Sequence, residues 1–203
     1  EPVLSVIPAL AQAARTVGSP QIRAAGSLGG NLGTCSPAGD TLPVMFALDA
    51  MIHLKTLDST RVVSIHDFMT GVKRSVRQHD EIITSIDFPI INGWQGYSKV
   101  GVRNAMVISV ASACLVADHE NANVRIALGS VGPTIIRCHE AESWLTSSQD
   151  LSAGQSISLD VANEFGRRAA GESSPIDDHR STAQYRRHAI SVLASRLLRK
   201  AYP

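Results

Sequence analysis

The residues best suited to binding a ligand are concentrated between positions 27 and 40. Gly29 and Gly30 stand next to each other, with Ser27 shortly before them and Asn31 directly after. Because glycine has no Cβ, the backbone can approach a ligand closely there, and successive amides can form a concave nest that attracts phosphate oxygens. The segment can therefore hold a diphosphate without a lysine.

Polar side chains near this glycine pair can add directional contacts. Asn31, Thr34 and Ser36 supply hydrogen-bond donors, and Asp40 can accept a hydrogen bond from a ribose hydroxyl or a ring N–H. The segment is neither a Rossmann fingerprint nor a Walker loop, because Gly-x-Gly-x-x-Gly and Gly-Lys-Ser or Gly-Lys-Thr are absent. On spacing alone, a tight turn between two helices remains the alternative to a ligand site.

No residue pattern indicates acid–base, nucleophilic or metal chemistry. The seven histidines occur singly, and the three cysteines, Cys35, Cys114 and Cys138, are far apart without a Cys-x-x-Cys pair. We therefore name no catalytic residue and no metal ligand. This cysteine usage predicts a reducing, cytoplasmic compartment, and Cys35 is interpreted as a packed thiol rather than a reactive one.

Composition narrows the range of partners. The chain has 203 residues and a formal net charge of +1, with its lysines and arginines scattered, so neither nucleic acid nor an anionic membrane is a predicted partner. No apolar run reaches the roughly 20 residues that a membrane-spanning helix needs. A small molecule or another protein is the expected partner.

The glycine pair must be positioned by the elements on either side of it. An amphipathic helix is predicted to end at Gly18-Ser19-Pro20, after apolar residues at helical spacing, namely Val6, Leu10, Ala13, Ala14 and Val17. Residues 22–43 lack periodicity and are rich in Gly, Ser, Pro and Asn, which predicts a long loop with exposed backbone. A short helix is predicted over residues 44–50.

Further along, the pattern changes to strands. Residues 51–57 and 61–65 predict a hairpin, and residues 82–88 predict another strand. The polar pair Asn92-Gly93 predicts a domain boundary. The chain is thereby divided into units 1–92 and 93–203.

The second unit combines strands with helices, which predicts an α+β fold. Strand-like runs cover residues 96–102, 107–117 and 124–131, and they predict a three-stranded antiparallel sheet. Three helices are expected to pack on one face of this sheet, over residues 138–145, 159–170 and 182–201.

The wider string around the glycine pair resembles the second FAD-binding motif of molybdenum hydroxylase flavoproteins, the FAD-binding medium subunits of the xanthine dehydrogenase and carbon monoxide dehydrogenase type. The matching segments are Ser19-Pro20-Gln21-Ile22-Arg23, Gly26-Ser27-Leu28-Gly29-Gly30-Asn31-Leu32, Ser36-Pro37-Ala38-Gly39-Asp40 and Leu42-Pro43. Mild departures occur at Ala24-Ala25 and at Ser27. The resemblance continues to the end of the chain through Tyr97-Ser98-Lys99-Val100-Gly101-Val102-Arg103, Gly129-Ser130-Val131-Gly132-Pro133-Thr134 and Ser181-Thr182-Ala183-Gln184-Tyr185-Arg186.

This resemblance implies two domains and a set of cofactor contacts. Residues 1–92 would be the second subdomain of a PCMH-type FAD-binding domain, N-terminally incomplete, and residues 93–203 the flavoprotein C-terminal domain. The implied FAD contacts are Ser27, Leu28, Gly29, Gly30, Asn31, Thr34, Asp40, Ile83 and Lys99. Without the resemblance, Ile83 is interpreted as core and Lys99 as a solvated side chain.

The family's activity implies partners as well as a cofactor. Substrate hydroxylation takes place at the molybdenum cofactor of a large subunit, and electrons pass through the [2Fe-2S] clusters of a small subunit to the flavin. The flavin then reduces NAD, oxygen or a quinone, so the resemblance implies an oxidoreductase subunit of a heterotrimer.

Length is the main departure from this family. Such proteins begin with a subdomain that supplies a first glycine-rich FAD loop, so the remaining contacts are expected from a separate N-terminal chain or from residues outside this sequence. The 203-residue chain alone is accordingly expected to bind FAD weakly or not at all. The alternatives are a flavin-free module that docks the molybdenum and iron–sulfur subunits, and a reductase of the murein-synthesis type.

Overall fold

Short helices dominate the beginning of the chain. The computed structural model describes residues 2–203, with side chains from residue 3 onward. The helices that precede the first strand are α1 (Pro2–Val6), α2 (Pro8–Thr16), α3 (Pro20–Ala25), α4 (Leu28–Thr34) and α5 (Leu42–Ala47).

Two of these helices lie in the segment that the sequence predicts to be a long loop, so that prediction is wrong in part. The hydroxyl of Ser19 accepts a hydrogen bond from the Ile22 amide, and the hydroxyl of Ser27 accepts one from the Gly30 amide. Serine at the N-cap with Pro20 at the first helical position stabilises such short helices. They show no apolar periodicity because α3 buries no side chain and α4 buries only Leu32.

A small antiparallel sheet follows the helices. Its strands are β1 (Met51–Lys55), β2 (Thr60–Ser64) and β5 (Ile82–Asp87). Between β2 and β5 the chain forms α6 (Ile65–Phe68) and a separate hairpin of β3 (Met69–Gly71) and β4 (Arg74–Ser75). Strand order is β2-β1-β5, with Met51 opposite both Ser64 and Asp87. The hairpin and the later strand of the first unit are therefore confirmed. Alternation turns Ile52 and Leu54 into the core, where both are fully buried.

The strands of residues 93–203 form a larger antiparallel sheet. Its order is β6 (Gly93–Val100), β7 (Ala111–Asp118), β8 (Asn123–Gly129) and β9 (Ile136–Arg137). The sequence predicts only the first three, because β9 has two residues and shows no alternation. The expected helices are present as α7 (His139–Ser148), α8 (Leu159–Gly171) and α9 (Ala183–Ala201), which confirms the α+β fold.

Both faces of β7 are covered, so that all eight of its residues are buried. Leu115 and its neighbours on one face pack with α8 and α9. Cys114 and Val116 on the other face pack with α5 of the first half. The two halves of the chain therefore share a core across β7. Within residues 2–203, no helix is both long and apolar enough to cross a membrane.

The packing of α8 on α9 depends on a glycine. A Cβ added at Gly166 would lie 2.2 Å from the backbone oxygen of Ser191, a contact that only a shift of one helix can relieve. Gly166→Ala is therefore expected to lower the free energy of unfolding by about 1–3 kcal/mol, as overpacking typically does. Gly171→Ala is the matched control, because its Cβ would have no neighbour within 4 Å. Urea unfolding of both variants tests this, and equal stability would contradict it.

An ion pair at the start of β5 predicts a pH dependence. The Arg61 guanidinium donates to both oxygens of Glu81, at 2.6 and 2.9 Å, and the Gln78 amide donates to the second at 2.7 Å. These hydrogen bonds, that from Arg61 first, lower the pKa of Glu81 from 4.5 to about 2. The pKa is lower in the folded state, so the stabilisation is present above pH 4.5 and is lost as the pH falls towards about 2.

Glu81→Gln should remove this part of the acid sensitivity. We expect the stability difference between wild type and variant to be largest near neutral pH and to shrink between pH 4.5 and about 2. Glu120→Gln, at an exposed position, serves as the control. Thermal unfolding across this pH range checks the prediction, which a difference independent of pH would overturn.

Candidate functional site

The glycine pair lies in the first turn of α4 rather than in an open nest. Ser27 is the N-cap residue, with its hydroxyl 3.0 Å from the Gly30 amide and its carbonyl 3.0 Å from the Asn31 amide. The amides of Leu28 and Gly29 precede the first bond of the helix, so they have no carbonyl partner within it. These two N–H groups at the positive end of the helix are the donors that the segment can offer to an anion.

The fold does not require glycine at position 29, and at position 30 only the Ser27 hydroxyl would have to shift to admit a Cβ. Neither residue has a left-handed φ. A Cβ at Gly29 would lie 3.8 Å from Ile83 Cγ2, an ordinary contact, and one at Gly30 would meet only the Ser27 hydroxyl, at 3.1 Å. Each glycine nonetheless destabilises a helix by roughly 0.5–1 kcal/mol relative to alanine. This loss is explained if a ligand needs the bare backbone, so the segment fits a diphosphate.

Ile83 supports α4 from below. It lies on β5, and the Cβ positions of Gly29 and Gly33 both lie 3.8 Å from its side chain. The side chain is half-buried, and it packs against the core that the two halves of the chain share rather than lying fully inside it. Ile83 therefore lies beside the glycines of α4, and its aliphatic contact with a ligand remains a prediction.

The side chains of Asn31 and Thr34 each form one hydrogen bond within the protein. The Asn31 side-chain oxygen accepts a hydrogen bond from the Thr41 hydroxyl at 2.6 Å, so its N–H donors are what it can offer to a ligand. The Thr34 hydroxyl donates to the Gly30 carbonyl at 2.9 Å, which leaves its oxygen as an acceptor. The bond between Asn31 and Thr41 ties α4 to the turn that carries Asp40.

Asp40 and Lys99 form a buried ion pair. Lys99 Nζ lies 2.7 Å from Asp40 Oδ2, and the two side chains are only 10% and 7% exposed. Lys99 also donates to the carbonyls of Thr16 and Val107, at 2.8 and 3.2 Å. All three ammonium protons are therefore engaged, so Lys99 is not a solvated side chain. A direct bond from Lys99 to a ligand would require exchange of one of these partners.

Tyr97 belongs to the same group, and the sequence analysis missed it. Its hydroxyl donates to Asp40 Oδ1 at 2.9 Å. Burial raises the pKa of Asp40 above its ordinary value, and the hydrogen bonds from Lys99 and Tyr97 limit that rise. Tyr97 and Lys99 stand two residues apart on β6, so strand alternation could have placed both side chains on one face.

A basic cleft opens beside Lys99. It has a volume of about 980 Å³ and lies between α2, the end of β6 and residues 101–107. Among the described residues that line it there is no carboxylate, whereas its cations are Arg15, Arg23, Lys99, Arg103 and Lys200. A cleft of this size and charge suits an anionic small molecule. Residues 27–31 are not among those that line it.

Two family models match the chain in succession. Residues 1–91 match the model described as the FAD binding domain in molybdopterin dehydrogenase, and residues 97–201 match the CO dehydrogenase flavoprotein C-terminal domain.

Three similar proteins align with nearly the whole chain. The glyceraldehyde dehydrogenase medium chain of Sulfolobus acidocaldarius is 28% identical over 201 residues, which cover 98% of this chain and 69% of that protein. The nicotine 6-hydroxylase medium subunit of Paenarthrobacter nicotinovorans is 31% identical over 198 residues, which cover 96% and 67%. Carbon monoxide dehydrogenase from Hydrogenophaga pseudoflava superposes with a TM-score of 0.86 at 24% identity, over 99% of this chain and 69% of that one, which shows the shared fold.

Proposed function

Because this chain belongs to the family of FAD-binding subunits of molybdopterin dehydrogenases, we propose that it holds FAD and passes electrons through the flavin. The proposed donors are [2Fe-2S] clusters in a small partner subunit, which receive electrons from a molybdenum cofactor in a large one. The flavin supplies the redox chemistry when it is bound. This chain positions the cofactor, and no acid, base or nucleophile of its own is needed.

The glycine pair is the observation that carries this proposal. Gly29 and Gly30 are unfavourable in α4, yet the backbone conformation calls for neither, and the internal packing leaves room for a Cβ at position 29 and opposes one at position 30 only through the Ser27 hydroxyl. A ligand that approaches the backbone closely accounts for both. A flavin-free docking module would leave them unexplained.

The residues around α4 suggest how the cofactor is held. We assign the amides of Leu28 and Gly29 to the diphosphate, because both are donors at the N-terminal end of the helix. Asn31 would add its side-chain N–H groups, and Ile83 an apolar contact beneath the glycines. Ser27 orients these donors as the N-cap residue, whereas Thr34 can add an acceptor.

Asp40 and Lys99 complete the proposed site in a different way. Their ion pair is almost completely shielded from solvent, and all three protons of Lys99 are donated within the protein. We therefore assign them to fixing the local charge and the position of the turn at residues 39–41. The substrate is selected by the molybdenum subunit, whereas the electron acceptor takes its electrons from the flavin.

The visible spectrum and subunit composition of the protein purified from its source test this proposal. We expect flavin absorption with about one FAD for each copy of this chain, together with a molybdenum subunit and an iron–sulfur subunit. Flavin release after denaturation gives the stoichiometry. An intact complex that contains this chain but no flavin would contradict the proposal and favour the docking module.

A further inference from the structure

Tyr97 is buried, and its hydroxyl is directed at a carboxylate of the proposed flavin site. Its side chain is 7% exposed, and the hydroxyl lies 2.9 Å from Asp40 Oδ1. Burial, together with the negative charge of Asp40, holds the pKa of Tyr97 well above its ordinary value. The hydroxyl therefore keeps its proton and acts as a hydrogen-bond donor.

The backbone of Tyr97 is fixed on both sides. It pairs with Cys114 in the register between β6 and β7, and its amide donates to the Gln12 side chain of α2 at 2.8 Å. Gln12 and Tyr97 are 85 positions apart in the chain. A strand and a helix therefore both hold the backbone of Tyr97, and its buried side chain presents the hydroxyl to Asp40 from this fixed point.

Tyr97 and Lys99 together immobilise the Asp40 carboxylate. One oxygen accepts from the tyrosine hydroxyl and the other from the ammonium group, at 2.9 and 2.7 Å. A carboxylate held at each oxygen by a different donor cannot rotate without breaking one of the bonds. Without the tyrosine hydroxyl, Oδ1 would lose the donor that lies 2.9 Å from it.

The turn at residues 39–41 is connected to α4. Thr41, next to Asp40, donates to the Asn31 side chain at 2.6 Å, and a Cβ at Gly39 would lie 3.2 Å from the same oxygen. A continuous path of contacts thus leads from β6 through Asp40 and Thr41 to α4. We propose that Tyr97 is a positioning residue that fixes Asp40, and through it the helix of the Gly29-Gly30 pair, for cofactor binding.

This inference rests on the proposed function, and Tyr97→Phe tests it because the variant removes only the hydroxyl. In the complex purified from its source we expect the dissociation constant for FAD to rise about tenfold, which corresponds to the loss of a single hydrogen bond of about 1.4 kcal/mol. Thr41→Val breaks the next link and should act in the same direction. Tyr185→Phe, at a tyrosine that is 48% exposed, is the control and should bind FAD as the wild type does.

A second measurement separates positioning from simple packing. In flavin-free protein labelled with ¹³C at aspartate carboxyls, Tyr97→Phe should raise the pKa of Asp40 further, because the charged form loses a donor. If wild type and Tyr97→Phe bind FAD equally and Asp40 titrates alike in both, the positioning role is refuted while the proposed function stands. If the wild type takes up no FAD, the proposed function fails, and this inference fails with it.

Discussion

Replacing Gly29 and Gly30 together by alanine should lower the affinity of the complex purified from its source for FAD by about 100-fold, or about 2.7 kcal/mol. The added methyl groups would keep the diphosphate away from the backbone amides at the start of α4. Hydrogen bonds to a charged group contribute about 1.5–3 kcal/mol each, so the loss of one or two accounts for this effect.

The same double variant should not destabilise the flavin-free protein. Alanine favours a helix by roughly 0.5–1 kcal/mol over glycine at each position, which offsets a small shift of the Ser27 hydroxyl, 3.1 Å from a Cβ at position 30. The Cβ at position 29 would meet Ile83 only at 3.8 Å. Gly33→Ala is the matched control, because it lies in the same helix and its Cβ would also be 3.8 Å from Ile83. It should gain stability and keep its affinity for FAD. If the double variant binds FAD as tightly as the control, the diphosphate does not lie against these glycines.

Lys99→Met should lower the free energy of unfolding by about 3–5 kcal/mol. The substitution leaves Asp40 buried without its cation, and removal of one partner from a buried ion pair has this effect. Two backbone carbonyls, those of Thr16 and Val107, lose their donor as well. Chemical denaturation at neutral pH measures the loss.

The pH dependence of this variant identifies the cause. Without Lys99, burial raises the pKa of Asp40 further, so the folded state favours the protonated acid. A pKa that is raised by folding stabilises the protein below the unfolded value and loses that effect as the pH rises. The deficit of Lys99→Met should therefore be smallest in acid and largest near neutral pH. Adding Asp40→Asn should recover most of the stability, and a double variant as unstable as the single one would exclude the ion pair as the cause.

Elements with a repeating apolar face could be predicted from the sequence. The helix α9 buries Ala189, Leu193 and Leu197 at spacings of four residues, and β1 alternates between buried and exposed positions. In each case only one face of the element packs against a core, so apolar residues recur at the spacing of that element. The three long helices and the strands of five or more residues were predicted, although β7, which is buried on both faces, was predicted from its strand-forming residues rather than from alternation.

The helices α3 and α4 could not be predicted, for the opposite reason. They have six and seven residues, bury almost nothing, and are stabilised at their N-termini by Ser19 and Ser27. A cap followed by glycines gives no apolar period, so the segment has the pattern of a loop. Serine three residues before the bonded amide was the available signal.

The sequence predicts residues for the candidate site but not the contacts that join them. The sequence identified Asp40 and Lys99 separately, whereas their ion pair joins positions 59 residues apart. The link from Gln12 to Tyr97 spans 85 residues and leaves no local pattern. Such pairs depend on how α2 packs against β6, which follows from the assembled core rather than from a segment.

A crystal structure of the flavin-loaded complex is the most direct test of the account. We predict diphosphate oxygens about 3 Å from the amide nitrogens of Leu28 and Gly29, as a hydrogen bond requires. A flavin whose diphosphate is bound elsewhere, with these two amides facing only protein or solvent, would contradict it.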